Sequence, residues 1–279
     1  MKSWYWIIDV EKCENCQNCF LACRDEHFNN DWSGYSAAQG DGQKWVHIKA
    51  KERGQNPFID VAYLPVPCMH CDDAPCVKAA SDGAIYKRND GIVIIDPVKS
   101  KGQQNLVDAC PYHQIWWNDK LGLPQKCTFC AHLIDDGWSK SRCVQSCPTG
   151  ALSMIHVTEP EMNRIISEEK LEVYKPALKT KPRVFYKNLH KFTRCFIGGS
   201  VAVNVNGVDE CAEGAKVALF GTQNEQAGQC ITDSFGDFKF DNLPDVSSDY
   251  MLQIEYRDYP VKNLQVHLAG SVYTGVIYL

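Results

Sequence analysis

Cys13-Glu14-Asn15-Cys16-Gln17-Asn18-Cys19-Phe20-Leu21-Ala22-Cys23 places four cysteines within eleven residues near the start of the chain. Three thiolates separated by two residues can fold around one [4Fe–4S] cluster, and a fourth, three residues further on, points away and binds a second cluster. The spacing therefore predicts that this one short segment contributes to two cluster sites.

Two more cysteine groups follow. The second is Cys68-x2-Cys71-x4-Cys76, with a lone Cys110 after it, and the third is Cys127-x2-Cys130-x12-Cys143-x3-Cys147. Taken alone, the third group would also suit tetrahedral Zn²⁺. Disulfides are the other alternative, but they are typical of small secreted chains, and the tight spacings favour metal.

The chain also repeats internally. Ile8-Asp9-Val10-Glu11-Lys12-Cys13 aligns with Ile95-Asp96-Pro97-Val98-Lys99-Ser100, and the Gly150-Ala151-Leu152 that follows Cys147 aligns with Gly83-Ala84-Ile85. The repeat predicts two related ferredoxin-like units. The inner unit, at about 60–120, is inserted between the halves of the outer one.

Exchange of the last ligand between paired motifs then divides twelve cysteines into three complete sets, with a fourth set missing entirely. Four aligned positions carry residues other than cysteine, and all four belong to the same set. Each remaining set therefore keeps four thiolates, and we expect three [4Fe–4S] clusters. Site 1 is Cys13, Cys16, Cys19 and Cys147; site 2 is Cys23, Cys127, Cys130 and Cys143; site 3 is Cys68, Cys71, Cys76 and Cys110; the missing site would need cysteine at Ala80, Ser100, Gln103 and Leu106.

Composition limits the function classes. The formal net charge of −5 over 279 residues argues against a nucleic-acid surface, which is normally basic. No apolar run approaches the roughly 18 residues that span a bilayer. The charged Asp9 and Glu11 come too early for a signal peptide. We therefore expect a cytoplasmic protein with no membrane insertion of its own; export bound to a signal-bearing partner stays open.

The second half changes character. Thr158 and Glu161 match a capping box and predict a helix over about 159–170, inside a connecting segment over 155–195. Residues 183–194 are basic and aromatic, and either wrap a cluster or partner or form a solvated connection. From 196 to 279 alternating segments and turn signals predict about seven short antiparallel strands. The stretch 232–244 resembles the Cna-B or carboxypeptidase-regulatory-like sandwich family. The fold class is thus α+β: a duplicated ferredoxin-like domain over 1–195 and a small all-β sandwich.

The cysteine motifs, with Pro67-Cys68-Met69-His70-Cys71 and Gln125-Lys126-Cys127-Thr128-Phe129-Cys130, resemble the iron–sulfur subunits of the dimethyl sulfoxide reductase family of molybdenum enzymes. The resemblance implies a heterodimer whose separate large subunit carries molybdenum on two pterin guanine dinucleotides and performs the catalysis. The missing fourth site and the sandwich look like a branch that moves hydroxyl groups on phenolic compounds. A related hydroxylase or dehydroxylase, a respiratory reductase, and clusters with a purely structural role are the alternatives.

Several other residues have an ordinary interpretation beside a functional one. His70 lies inside a cysteine motif, but all three sites already have four thiolates, so we expect it to hydrogen-bond rather than ligate. Trp116 and Trp117 either shield a cluster or fill the core. The histidines near the motifs are interpreted as packing or hydrogen-bonding groups, and the cysteines outside them as carrying no metal. These are His27, His113 and His132, and Cys195, Cys211 and Cys230.

Overall fold

The computed structural model describes residues 1–279 and divides into two compact units. The first comprises 1–49 and 63–189, and the second comprises 50–62 and 190–279. The second unit therefore begins six residues before the predicted boundary at 196. It also includes residues 50–62, the tip of a hairpin that lies far away in the sequence and that no sequence pattern links to this unit.

The first unit is built from short strands and short helices around the cysteine loops. Its strands are β1 (Lys2–Asp9), β2 (Val46–Gln55), β3 (Phe58–Pro67), β4 (Ile85–Lys87), β5 (Val93–Ile95), β6 (Trp116–Asn118), β7 (Leu123–Gln125), β8 (Leu152–Thr158) and β9 (Val184–Lys187). The tip of the hairpin formed by β2 and β3 belongs to the second unit. Its helices are α1 (Asn18–His27), α2 (Pro75–Ala79), α3 (Ala131–Asp135), α4 (Arg142–Gln145) and α5 (Glu159–Glu169), with 3₁₀ turns at Gln104–Leu106 and Pro176–Leu178.

Two antiparallel strand pairs carry the repeat found in the sequence. In the outer pair, β1 and β8 place Ile8 opposite Leu152, and in the inner pair β4 and β5 place Ile85 opposite Ile95. The pairing is the one the aligned sequences require, because Ile8 aligns with Ile95 and Leu152 aligns with Ile85. Strand β9 adds to the outer pair, parallel to β1.

Helix α5 covers one face of the outer strand pair. Met162, Ile165 and Ile166 lie three and four residues apart, so they share one side of the helix, and they pack with Tyr5 and Leu171. The helix begins where the capping sequence predicts, and the Glu161 carboxylate accepts the Thr158 backbone N–H at 2.8 Å. The predicted helix over about 159–170 is thus confirmed to within one residue.

The second unit contains α6 (His190–Thr193) and two four-stranded sheets. One sheet pairs β10 with β11, β14 and β17, and the other has the order β13-β12-β15-β16. Every pair is antiparallel except β10 with β17, which is parallel. The strands are β10 (Cys195–Val205), β11 (Val208–Cys211), β12 (Lys216–Phe220), β13 (Gln226–Ile231), β14 (Asp237–Leu243), β15 (Ser248–Glu255), β16 (Lys262–Leu268) and β17 (Val272–Tyr278).

Alternating apolar side chains from both sheets form one buried core, which makes this unit a sandwich. Val217 and Leu219 of β12 and Leu252 and Ile254 of β15 are fully buried in it. The Asn206–Gly207 turn that joins β10 to β11 has positive φ at both residues, as a tight hairpin requires. The unit has eight strands where the sequence predicted about seven.

The hairpin tip is fastened within the second unit by a buried guanidinium. Arg53, with its side chain fully buried, forms salt bridges to Asp60 and, at 2.9 Å, to Asp241 of β14. Burial alone would raise the pKa of Asp241, but its hydrogen bonds to Arg53 and to the Asn242 backbone lower it to about 2. Lys239 contacts both carboxylates as well.

None of the helices in the chain combines the length and apolar character that crossing a bilayer requires.

Candidate iron–sulfur cluster sites

The thiols of each predicted set lie close enough to act on one another electrostatically. The pKa of Cys19 is raised to about 12, chiefly by burial and in addition by the thiols of Cys13, Cys16 and Cys147. These are the other three members of site 1. Cys16 is exposed, and Cys13 and Cys147 are partly exposed. Site 1 is therefore open to the protein surface.

Sites 2 and 3 are buried. Burial raises the pKa of Cys23 well above its usual value, and the next contributions come from Cys127, Cys130 and Cys143. In site 3, burial raises the pKa of Cys71 to about 12, and the thiols of Cys68, Cys110 and Cys76 contribute in the same direction. Cys23 thus lies close to thiols of the third motif, which are over a hundred residues away in the sequence.

The first C-x2-C loop of each cysteine group turns through a left-handed residue at its second intervening position. Asn15, His70 and Phe129 have φ of 56°, 44° and 62°, a region that side chains other than Gly, Asn and Asp rarely adopt. The turn aims a backbone N–H at the first cysteine: His70 donates to Cys68 Sγ at 3.5 Å and Phe129 to Cys127 Sγ at 3.4 Å. The Asn15 backbone likewise hydrogen-bonds Cys13 and lowers its pKa against the larger effect of burial.

These donors fit an iron–sulfur cluster. N–H···S hydrogen bonds favour the thiolate form, and they are one of the means by which proteins tune cluster potentials. No group of three or more His, Cys, Asp or Glu side chains is arranged to hold a single metal ion. A [4Fe–4S] cluster does not require such a group, because each thiolate binds a different iron.

The three sites form a row. Cys19 of site 1 and Cys23 of site 2 lie one turn apart on α1, and both are buried. Cys127 of site 2 packs beside Cys68 of site 3 in a small cluster with Cys23 and Trp45. The Cys68 backbone also hydrogen-bonds the Cys127 thiol. Site 2 is therefore adjacent to both other sites.

The missing fourth site is packed with ordinary side chains. Leu106 and Ser100 are fully buried. The Ser100 hydroxyl has no hydrogen-bond partner. The Gln103 amide turns back to the Lys99 carbonyl at 2.9 Å. None of the four residues at the positions that cysteines hold in the outer unit can supply a thiolate.

Residues 180–183 of the connecting segment pack against the Cys68–Cys76 loop of site 3. Asp72 N–H donates to the Lys181 carbonyl at 2.8 Å, and Arg183 N–H donates to the Met69 carbonyl at 2.9 Å. Thr180 hydrogen-bonds the Cys71 thiol, an effect that lowers the Cys71 pKa against the larger effect of burial. The sequence predicts that the basic segment 183–194 either wraps a cluster or partner or forms a solvated connection, and its first residue, Arg183, contacts the site 3 loop as the first interpretation requires. Thr180 and Lys181 lie just before that segment, and no sequence motif marks them as contacts of a cluster site.

The histidines hydrogen-bond and pack. His70 is buried, and its Nδ1 accepts the Val93 N–H at 3.0 Å, which leaves the proton on Nε2. His27 Nε2 lies 4.0 Å from Cys130 Sγ, and burial, then His132, lowers the His27 pKa to about 3. His132 stacks on Trp32 with ring centroids 4.0 Å apart. Trp116 packs at the edge of the cluster formed by Cys23, Trp45, Cys68 and Cys127.

The second unit contains a hydrogen-bonded Ser–His–Asp chain that the sequence order did not reveal. Ser247 Oγ lies 3.2 Å from His267 Nε2, and His267 Nδ1 lies 2.7 Å from Asp249 Oδ1. The side chains of His267 and Asp249 are 60% and 77% exposed. Catalytic triads orient the imidazole with a buried carboxylate, so we assign this exposed chain no catalytic role.

Comparison with known proteins agrees with this geometry. Residues 59–157 match the family of 4Fe-4S dicluster domains, which takes in eight of the twelve motif cysteines. The chain is 45% identical to the pyrogallol hydroxytransferase small subunit of Pelobacter acidigallici, over 91% of each chain. This chain belongs to the iron–sulfur electron-transfer subunits of the molybdopterin oxidoreductases.

Other iron–sulfur subunits of this family match smaller shares of the chain. The thiosulfate reductase electron transfer subunit of Salmonella typhi is 34% identical, over 60% of this chain and 82% of that one. A tetrathionate reductase subunit of Salmonella typhimurium is 32% identical, over 66% of this chain and 71% of that one. As an iron–sulfur subunit of this family, the chain transfers electrons and leaves substrate chemistry to a catalytic subunit.

Proposed function

We propose that this subunit holds three [4Fe–4S] clusters, at sites 1, 2 and 3, and serves a molybdopterin enzyme that acts on phenolic compounds. The observation that supports the cluster assignment is the proximity of thiols from different motifs. The thiol of Cys23 is influenced by Cys127, Cys130 and Cys143 more than by its own neighbour Cys19. The thiol of Cys19 is influenced by Cys147.

A bound [4Fe–4S] cluster accepts and returns one electron. The residues of the chain support that role by placing the three thiolate sets side by side and by excluding water from two of them. Site 1, with Cys16 exposed, is the place where the row reaches the surface of the first unit. The thiols of sites 2 and 3 are all buried, and burial protects reduced clusters from solvent.

The proposed substrate class rests on the relative that matches nearly the whole chain. The pyrogallol hydroxytransferase small subunit covers 91% of this chain, including the sandwich, whereas the sulfur-compound reductase subunits cover 60% and 66%. We therefore place the large subunit, with molybdenum on two pterin guanine dinucleotides, among enzymes that move hydroxyl groups on phenols. A respiratory reductase is the alternative, since such subunits share the cluster motifs.

The sandwich is proposed to have the Cna-B-like fold, with a partner-binding role. Its support is the two-sheet architecture and the turn in which the Asp233 carboxylate accepts the N–H groups of Phe235 and Asp237. The cytoplasm is the proposed location, because the three cysteines outside the cluster sites, Cys195, Cys211 and Cys230, form no disulfide and reducing compartments keep thiols in that state.

The direct test is chemical analysis followed by spectroscopy of the anaerobically purified complex. Iron and acid-labile sulfide should each approach about twelve per chain, from three four-iron clusters. Anaerobic addition of a polyhydroxylated phenol should then change the electron paramagnetic resonance signals of the clusters. An iron count near eight would overturn the three-site assignment. Clusters that never change during turnover would favour a structural role.

A further inference from the structure

Lys126 is a buried cation in the middle of the cluster-binding region. The residue is only 2% exposed. Its Nζ donates to two backbone carbonyls, those of Val93 and, at 3.0 Å, Cys127. No aspartate or glutamate forms a salt bridge with it. A buried ammonium costs several kcal/mol unless an opposite charge lies nearby, so its retention calls for an anionic neighbour.

The neighbours of Lys126 are thiols from two different sites. It precedes Cys127 of site 2 in the chain, and Cys127 packs against Cys68 of site 3. Val93, whose carbonyl accepts a hydrogen bond from Lys126 Nζ, donates its own N–H to His70 Nδ1 at 3.0 Å. His70 lies in the Cys68–Cys71 loop of site 3. Lys126 is therefore hydrogen-bonded to Cys127 of site 2 directly and to the site 3 loop through Val93.

Lys87 offers a contrast within the same region. Its Nζ also donates to carbonyls of a cysteine loop, those of His70 at 3.1 Å and Cys71 at 3.0 Å. However, Asp72 lies 2.8 Å from it, and the Lys87 side chain is 24% exposed. Lys87 therefore has a protein counter-charge and partial access to water, and Lys126 has neither.

We propose that Lys126 is the shared counter-charge of sites 2 and 3 and that it raises the reduction potentials of both of their clusters relative to that of site 1. Reduction adds one negative charge to a cluster, and a fixed positive charge nearby stabilises the reduced form. The inference rests on the proposed ligand sets. Lys126 would then act through the clusters rather than on substrate: its charge determines which of the three clusters an added electron occupies.

The experiment is a redox titration of the complete complex, followed by electron paramagnetic resonance, on the parent protein and four variants. Lys126→Met and Lys126→Gln remove the charge, and Gln keeps a hydrogen-bond donor. Lys126→Arg keeps the charge. Lys87→Met is the matched control. The signal of site 3 is identified as the one that Cys110→Ser removes, and that of site 1 as the one that Cys147→Ser removes.

We expect the neutral Lys126 variants to lower the reduction equilibrium constants of sites 2 and 3 by at least about tenfold, which is about 59 mV for one electron. Site 1 should be unchanged, and Lys126→Arg should stay near the parent. Lys87→Met should affect only site 3, and less. A uniform shift of all three sites, or no shift, would overturn the inference.

Loss of clusters is also decisive. If the neutral variants lose iron from sites 2 and 3 while Lys126→Arg keeps it, the charge is required and the inference stands. If Lys126→Arg loses iron to the same extent, side-chain shape rather than charge matters and the inference fails. The iron count of the parent protein separates this result from the proposed function. Fewer than about twelve irons in the parent contradict the three-site assignment itself.

Discussion

The outer and inner ferredoxin-like units share a backbone framework but differ in how many motif cysteines they contain. In the outer unit, Asp9 N–H donates to the Ala151 carbonyl at 2.8 Å, and in the inner unit Asp96 N–H donates to the Ala84 carbonyl at 2.9 Å. The outer unit has cysteine at all eight aligned motif positions, whereas the inner unit has cysteine at four. The strand pair and its hydrogen bonds are therefore present in a unit with half as many motif cysteines.

The difference shows how a cluster site can be replaced without changing the framework around it. Leu106 stands where the outer unit has Cys19, and both are buried. A leucine side chain fills part of the volume and needs no hydrogen-bond partner. Ser100 stands where the outer unit has Cys13, and its buried hydroxyl has no partner. Apolar packing has thus taken over at one position, and at another a polar group remains unsatisfied.

The largest expected effect comes from removing one ligand from the inner unit. Cys110→Ser should remove the site 3 cluster and lower the iron content from about twelve to about eight per chain, because the other eight thiolates belong to sites 1 and 2. Cys147→Ser is the matched variant in the outer unit, and it should remove only site 1. Iron analysis and electron paramagnetic resonance measure both. Simultaneous loss of two signals in either variant would contradict the ligand sets.

The pairing of units within the cluster-binding domain was predictable because it depends on spacing. Ile8 and Ile95, with the cysteines that follow each, fix the alignment, and the strand registers agree with it. The assignment of cysteines to clusters follows from that alignment and stays a prediction. Family membership, predicted from the same motifs, is confirmed by the relatives that match.

The features that sequence could not provide are those that depend on contacts between distant segments. Residues 50–62 join the second unit through Arg53, which looks like any charged strand residue until its burial is known. The burial of Lys126 was equally unpredictable, because nothing in the flanking sequence marks this lysine as buried. Thr180 lies in a lysine-rich stretch typical of solvated chain. No periodicity distinguishes such residues from surface ones.

The next largest effect tests the packing that replaces the missing site. Leu106→Ala should lower the free energy of unfolding by about 2–5 kcal/mol, the usual cost of truncating a fully buried leucine. The iron content should stay near that of the parent, because Leu106 binds no iron. Chemical denaturation under anaerobic conditions measures the first quantity. Exposed Leu121→Ala is the control and should cost less than about 0.5 kcal/mol. A similar loss in both variants would contradict a packed inner site.

A smaller effect concerns the hydroxyl pair beside site 3. Tyr112 and Thr180 hydroxyl oxygens lie 2.8 Å apart, and Thr180 also hydrogen-bonds Cys71. Thr180→Val should lower the reduction equilibrium constant of site 3 by about threefold to tenfold, because a hydrogen bond of about 1 kcal/mol to the thiolate is lost. Thr180→Ser should restore it. Redox titration of site 3 measures the change, and an equal shift at site 2 would show that the effect is not local.

The smallest effect concerns the ion pair that joins the inner unit to the outer one. Arg88, which follows β4, donates to both carboxylate oxygens of Asp135 in α3, at 2.8 and 2.6 Å. Their side chains are 21% and 38% exposed. We expect a double-mutant cycle of Arg88→Met and Asp135→Asn to give a coupling free energy below about 1 kcal/mol, as for other solvent-accessible pairs.

The same pair has a defined pH dependence. The hydrogen bond from Arg88 lowers the Asp135 pKa, an effect larger than that of burial, which raises it. A carboxyl whose pKa is lower in the folded state stabilises the fold above its unfolded pKa of about 3.9, and this contribution disappears as the pH falls through the folded value. The coupling should therefore be complete at neutral pH and vanish in acid. A coupling that persists unchanged below about pH 2 would mean that packing of the Arg88 side chain, rather than charge, joins the two units.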